Sequence, residues 1–334
     1  MSVTIPKNYS SVLNFIETQE AIKFVKDTFE RKIAEYLNLT RVSAPLFVRE
    51  SSGLNDHLSG VEKPVSFQIS AFDDKIEIVQ SLAKWKRMAL KEYRFLPDTG
   101  LYTDMNAIRK DETLDNLHSL YVDQWDWERV ILPDNRNISY LGQIVRKIVK
   151  AIVDTKTLLN KQFNQLTQTI NEDVFFITTE ELLQRYPHLS SKERENAICR
   201  EKQTVFIMGI GDQLSNGSPH DLRAPDYDDW RLNGDILVWY EPLGQAVELS
   251  SMGIRVDSAS LQYQLTTTNT LKRLKFPFHR EVMEGKLPLS IGGGIGQSRL
   301  CLVMLEKVHI GEVQASLWPE EDLKVLKDHG IMIL

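Results

Sequence analysis

The chain has 334 residues, of which 42% are hydrophobic and 26% charged, a balance that fits a folded globular core and excludes disorder, collagen and coiled coil. Lys and Arg number 40 against 46 Asp and Glu, giving a formal charge of −6. That acidity argues against broad nucleic-acid binding, which needs a basic surface to displace counterions, and leaves room only for a local basic groove.

Two cysteines, Cys199 and Cys301, are too few for a four-thiolate zinc site or a disulfide framework, and are expected to be reduced and buried. The seven histidines show no H-E-x-x-H or comparable pairing, so no zinc site is expected. The start lacks a cationic segment followed by an apolar one, and no window approaches the ~18 apolar residues of a membrane span. A cytoplasmic chain without membrane contact is the expectation. No repeat or Pro/Ser-rich linker interrupts the sequence, so residues 1–334 are read as a single domain.

In chain order, residues 14–37 carry Ile22, Val25, Phe29, Ile33 and Leu37 at helical spacing and predict an amphipathic helix. A strand over 41–48 follows, interrupted by Pro45, which supplies no N–H to a ladder and so places the strand at an edge or interface. Residues 75–79 alternate like a strand, and 82–90 read as a helix whose polar side offers Lys84, Lys86 and Arg87. Two strands, 101–109 and 117–127, are joined by a charged loop, 110–116. On the second, His118, Leu120, Val122, Gln124 and Asp126 share one face, either a buried polar site or a row running out into solvent, while Trp125 and Trp127 point to the opposite, core side.

A long helix starts near Ser139, and 204–210 form an apolar strand. A polar loop over 215–229 holds the acidic cluster Asp226, Asp228 and Asp229, for which a solvated loop is the plain alternative to a functional role. Residues 235–241 and 246–250 make a hairpin whose arms bring Asp235 and Glu248 together, and Asp257 is placed to cap the next helix. Short connections between most strands imply antiparallel pairing and an α+β class.

The most informative stretch is Ile291-Gly-Gly-Gly-Ile-Gly-Gln-Ser-Arg299-Leu. It is not a dinucleotide fingerprint, because Gln297 stands where the sixth-position glycine belongs, and it lacks the Gly-Lys-Ser/Thr of a P-loop. Glycines on a strand would let a flat ligand lie close to the backbone, and an arginine in the following helix would offer a fixed charge to a terminal phosphate. The bland alternative is a glycine-rich bulge beside a surface arginine.

This pattern resembles the third signature motif of class II aminoacyl-tRNA synthetases. The helix followed by the Pro45 strand resembles their first motif, and the strand–loop–strand around Arg109, with Asp111 and Glu112 after it, their second. Several strings narrow the likeness: Ser81-Leu-Ala-Lys-Trp-Lys86-Arg, Tyr121-Val-Asp-Gln-Trp-Asp-Trp-Glu128, Arg223-Ala-Pro-Asp-Tyr-Asp-Asp-Trp230, Leu232-Asn-Gly-Asp-Ile-Leu-Val-Trp239 and Glu248-Leu-Ser-Ser-Met-Gly-Ile-Arg255 are similar to ammonia-dependent asparagine synthetase, the aspartate–ammonia ligase family. The resemblance runs from about residue 15 to Trp318.

The resemblance implies a class II synthetase-like core, mainly an antiparallel sheet flanked by helices. It also implies two steps: ATP adenylylates the side-chain carboxylate of aspartate, and ammonia then displaces AMP. Catalytic roles would fall to Arg109, Lys86, Asp126 and Arg299. Arg109 would meet the α-phosphate and the reacting carboxylate, and Arg299 the γ-phosphate, with Mg²⁺ held by Asp235 and Glu248. Asp111, Gly294 and Gly296 would complete the ATP site. Aspartate would be lined by Asp56, Lys86, Gln124, Ser251 and Arg255, with Asp56 on the α-ammonium and Arg255 or Lys86 on a carboxylate. Asp126 or Asp228 would take the proton from ammonium. A homodimer is expected by analogy, with no nucleic-acid partner. The rival readings are a true aminoacyl-tRNA synthetase, which normally carries an added anticodon-binding domain, and a non-catalytic regulatory module, which would have lost the phosphate-binding arginines or the metal carboxylates.

Overall fold

Asn14 starts the first helix: its side chain accepts the Glu17 N–H at 3.0 Å, while the Glu17 carboxylate accepts the Asn14 N–H at 2.9 Å. This helix, α1 (Phe15–Leu37), buries Val25, Phe29, Ile33 and Leu37 completely, as the spacing predicts. The computed structural model describes residues 3–56, 58 and 62–334. His57, counted among the histidines above, lies outside the described residues.

The remaining elements follow in order: β1 (Leu39–Arg41), β2 (Phe47–Arg49), β3 (Ser66–Gln68), β4 (Lys75–Ile78), α2 (Ala83–Glu92), β5 (Gly100–Ile108), β6 (Tyr121–Val130), α3 (Ile138–Gln162) and β7 (Phe175–Thr178). Then come α4 (Thr179–Arg185), α5 (Ser191–Lys202), β8 (Thr204–Met208), β9 (Asp228–Tyr240), β10 (Gln245–Arg255), α6 (Ser258–Thr267), α7 (Pro277–Met283), β11 (Ser290–Gly296), α8 (Gln297–Met304) and α9 (Glu320–Asp328). An eight-stranded sheet runs β1-β5-β6-β11-β10-β9-β8-β7, and β2-β4-β3 form a small second sheet. The β1–β5 and β7–β8 pairs at the two edges are parallel, and every pair between them is antiparallel. The class is therefore α+β, with a mixed sheet flanked by helices.

The strand expected over 41–48 divides. β1 joins the large sheet and β2 the small one, and Pro45 lies in the connection, where its missing N–H breaks no ladder. The expected polar side of α2 also turns inward: Lys84, Lys86 and Arg87 are all buried. Arg87 is satisfied by backbone carbonyls, with Nε 2.9 Å from Pro288 and Nη1 2.6 Å from Val256. β9 and β10 run longer than expected, whereas β6 starts only at Tyr121, leaving His118 and Leu120 in the turn before it, and β8 ends at Met208. Asp257 caps α6 by accepting the Ser260 N–H at 2.8 Å.

One face of the large sheet is packed by α1, α3 and α8, which enclose Trp125, Trp127, Met252 and Ile295 in the main core. Phe29 packs on Trp125 at a tilt of 47°, with ring centroids 4.8 Å apart. Cys199 and Cys301 are free and buried, and burial pushes both thiols up to about 12. Among the described residues no helix is long and apolar enough to cross a membrane.

Candidate active site

Alternation along β6 sends Trp125 and Trp127 into the core and Gln124 and Asp126 to the other face, where a cavity of about 370 Å³ opens. The neighbouring strand explains how that polar row has room. β11 pairs with β6 so that Gly292, Gly294 and Gly296 stand opposite Glu128, Asp126 and Gln124. A Cβ at Gly294 would lie 2.3 Å from Gln124 Oε1 and 2.7 Å from Asp126 Oδ1, and one at Gly292 only 2.0 Å from Glu128 Oε2. Gly292 and Gly294 therefore make room for the protein's own polar side chains, before any ligand is considered.

Lys86 reaches from α2 across this strand. Its Nζ donates to the Gly293 carbonyl at 2.9 Å and lies 3.4 Å from Asp126 Oδ2. Complete burial holds its pKa below the usual lysine value, with Asp126 opposing and Arg255 reinforcing that shift. Asp126 Oδ2 itself is buried and makes no hydrogen bond among the described residues.

Arg255, at the end of β10, is fixed by two carboxylates. Its Nε and Nη2 lie 3.0 Å and 2.7 Å from Glu128 oxygens, and its Nη1 donates to Asp228. Burial alone would raise Glu128, yet Arg255, Lys86 and the Ser290 hydroxyl keep it below the ordinary carboxylate range. For Asp228 burial prevails over Arg255, and its pKa is raised. The acidic loop is thus not solvated. Asp226 is completely buried as well, its Oδ2 accepting from Lys84 at 3.2 Å and Arg273 at 2.7 Å and lying 2.8 Å from His279 Nε2.

Two arginines stand at the open end. Arg109 follows β5 directly, with Nη1 4.0 Å from Glu112, and Arg299 in the first turn of α8 donates to the Glu248 carbonyl at 3.1 Å. Arg299 also lies 3.9 Å from the Glu248 carboxylate. Asp56, Lys86, Arg109, Gln124, Asp126 and Asp228 all line the cavity, as do Glu248, Ser251, Arg255, Gly294, Gly296 and Arg299.

Two expected residues do not line it. Asp111 turns outward beside Lys110, with Nζ 2.9 Å away, and its neighbour Glu112 faces the cavity instead. Asp235 sits behind Arg223, whose guanidinium it contacts directly. In the β9–β10 register Asp235 lies opposite Ser251 and Glu248 opposite Leu237, so both carboxylates share one face of the hairpin. Burial, with Glu248 nearby, pushes Asp235 up to about 7 against the pull of Arg223. Among the described residues its Oδ1 is buried without a hydrogen-bond partner.

Arg223 and Tyr227 are lining residues that sequence reasoning did not assign to the site. Both lie in the irregular run before β9, where no periodicity marks which side chains face inward. Among the described residues no group of three or more His, Cys, Asp or Glu side chains is placed to hold a metal ion unaided.

Comparison with known proteins adds a family context. A family model described as aspartate-ammonia ligase matches residues 16–330. The aspartate–ammonia ligase of Clostridium tetani is 58% identical over 331 residues, covering 99% of this chain and 97% of its own. That of Lactobacillus johnsonii is 54% identical over 336 residues, covering all of both chains. Among solved structures, asparaginyl-tRNA synthetase from Entamoeba histolytica bound to asparaginyl-adenylate aligns with a TM-score of 0.64 at 13% identity, over 93% of this chain and 71% of that one. The Pyrococcus horikoshii enzyme with asparaginyl-adenylate gives 0.63 at 17%, over 90% and 70%. These structural neighbours share the class II synthetase fold.

Proposed function

The chain belongs to the aspartate–ammonia ligase family, an enzyme class that makes asparagine from aspartate and ammonia, and we propose that it does so with ATP through a β-aspartyl adenylate, releasing AMP and pyrophosphate. The observation that carries this reading is that Arg109, Arg299 and the Lys86–Asp126 pair all open into one cavity. An attacking carboxylate and an α-phosphate repel each other, so fixed cations must stand where their charges meet. Arg109 is assigned that place, with Arg299 on the γ-phosphate and the backbone of Gly294 and Gly296 beneath the nucleotide.

Aspartate is assigned to the inner half of the cavity. Asp56, 1% exposed, would take its α-ammonium, and Gln124 and Ser251 would line its flank. Lys86 and Arg255 supply the positive charge for its carboxylates. Beyond its bonds to Glu128 and Asp228, Arg255 keeps one N–H on each terminal nitrogen for that role. In the first step a side-chain oxygen of aspartate bonds to the α-phosphorus as the bond to pyrophosphate breaks.

In the second step ammonia attacks the activated carbonyl carbon and AMP leaves. Ammonia travels mostly as ammonium, so a carboxylate must take its proton. Asp126 is favoured over Asp228 because its partner Lys86 stands 3.4 Å from Oδ2, whereas Asp228 accepts a close hydrogen bond from Arg255.

Asp235 and Glu248 suit Mg²⁺, which takes hard oxygen ligands, often one or two carboxylates together with substrate phosphates. The unpartnered Asp235 Oδ1 is the atom that favours this assignment. When bound there, the ion would neutralise phosphate charge. Asp111, exposed beside Lys110, receives no direct role.

A homodimer is proposed through the N-terminal end of α1, where Phe15 and Ile16 are exposed beside Val12 of the preceding segment, and the cytoplasm is proposed as its compartment. The chemistry is tested by incubating the protein with aspartate, ATP, Mg²⁺ and either ammonium or glutamine. Asparagine with equimolar AMP and pyrophosphate, from ammonium only, is expected. ADP and phosphate would overturn the adenylate, and efficient use of glutamine would overturn free ammonia as the donor.

A further inference from the structure

Arg223 holds a position for which the reaction outlined above has no use. It leaves the loop before β9 and places its guanidinium between the cavity and the Asp235 carboxylate, contacting Asp235 through Nη2 and Asp221 through Nη1 at 2.8 Å. Its side chain is 15% exposed, against 59% for Asp221, so the buried partner is Asp235. Glu248, on the same hairpin face, adds a second negative charge that Arg223 feels. Arg223 on Asp235 and Arg299 beside Glu248 thus supply one protein cation to each of the two carboxylates assigned to the divalent ion.

We propose that Arg223 is an internal counter-ion that keeps Asp235 and Glu248 from holding a divalent cation until a nucleoside triphosphate supplies the negative charge to receive both. The inference rests on the assignment of the ion to those two carboxylates. Without nucleotide, a divalent ion joining Arg223 and Arg299 would bring four positive charges against Asp235, Glu248 and the exposed Asp221, at a separation where like charges repel strongly in a partly buried site. With nucleotide the balance reverses. The phosphates contribute several negative charges and oxygen ligands for the metal, and they give Arg223 a second acceptor inside the cavity it already lines.

The consequence is an order of events. The metal enters with the nucleotide and does not wait on the protein for it. Asp235 Oδ1 remains the open ligand position throughout, while Arg223 sits on Oδ2 and sets whether that position attracts or repels a cation.

The test is Mn²⁺ binding followed by electron paramagnetic resonance, with no turnover involved. Wild type should bind Mn²⁺ weakly alone and tightly with the non-hydrolysable analogue AMPCPP. Arg223→Gln should bind Mn²⁺ without nucleotide at least about tenfold more tightly than wild type, since a repelling charge has been removed. Arg223→Lys, which keeps the charge, should stay close to wild type and shows whether the site survives a side-chain change. Equal nucleotide-free affinity in wild type and Arg223→Gln, with melting temperatures showing both folded, would overturn the proposal. If Arg223→Gln does not fold, a nucleotide-free wild type that binds Mn²⁺ as tightly as the AMPCPP complex does would overturn it equally. The underlying assignment is checked separately: Glu248→Gln should weaken Mn²⁺ binding in the AMPCPP complex. If it does not, the carboxylate site fails first and the counter-ion role fails with it.

Discussion

Arg255 and Glu128 meet in a two-pronged salt bridge at the centre of the sheet, Nε 3.0 Å from Oε1 and Nη2 2.7 Å from Oε2, with both side chains buried. Ser290 adds a hydrogen bond to Glu128 at 2.7 Å, so β6, β10 and β11 are tied together at the floor of the cavity. Glu128→Ala leaves a buried guanidinium with one carboxylate fewer, and should lower unfolding free energy by about 3–5 kcal/mol. Urea unfolding measures this directly. A loss under about 1 kcal/mol would show that the pair does not hold the floor in place.

The glycines of β11 should differ from one another under the same substitution. At Gly294 an added methyl meets the ends of Gln124 and Asp126, side chains that can turn aside into the cavity. Gly294→Ala should therefore fold with a melting temperature near wild type but lose aspartate affinity, seen as a raised KM. At Gly292 the methyl meets a Glu128 oxygen held by Arg255, which cannot move without breaking the buried pair. Gly292→Ala should instead be strongly destabilised. Equal melting temperatures for the two variants would contradict this division.

Arg299 is partly exposed and, among the described residues, bonded to Glu248 alone, so its removal should spare the fold. Arg299→Ala is expected to reduce kcat/KM by a factor equivalent to about 2–4 kcal/mol, the range for losing one electrostatic donor to a developing charge. Steady-state kinetics across ATP concentrations measure it. Wild-type turnover in this variant would remove the glycine turn from the triphosphate site.

His309 lies behind the cavity wall, completely buried, with Nδ1 accepting the Gly311 N–H at 3.1 Å and the ring packed on Trp318 at 4.6 Å. Burial lowers its pKa from 6.5 to about 4, despite Asp322 and Asp115. Between those values the unfolded chain binds a proton that the folded chain refuses, so stability is complete above about pH 6.5 and falls as pH drops toward 4. The loss attributable to this residue is about 3 kcal/mol. His309→Asn keeps an acceptor for Gly311 and should flatten the acid side of the stability profile. An unchanged slope would place the acid sensitivity elsewhere.

Local pattern carried much of this fold and part of its site. The alternation of β6 separates the core tryptophans from Gln124 and Asp126, and the glycine run marks the strand beside them. Capping signals stand in the sequence as well: Thr178 with Glu181 and Ser190 with Glu193 open α4 and α5. What local pattern could not convey was the burial of charge. Lys84 on α2 is satisfied by Asp226, 142 residues away, and a helix with such a face reads as solvent-exposed until its partners are placed. Arg223 was hidden for the same reason, since its partner Asp235 belongs to the strand after its loop. The division of residues 39–49 between two sheets likewise depends on which edges are open.

The adenylate mechanism requires that the aspartate side chain become bonded to the α-phosphate. Aspartate carrying ¹⁸O in its side-chain carboxylate tests this most directly. If the adenylate forms, ammonia expels AMP with the bridging oxygen, and mass spectrometry will find one ¹⁸O in AMP and none in pyrophosphate. Label in inorganic phosphate, with unlabelled nucleotide, would mean that the γ-phosphoryl group activates aspartate, and would contradict the account.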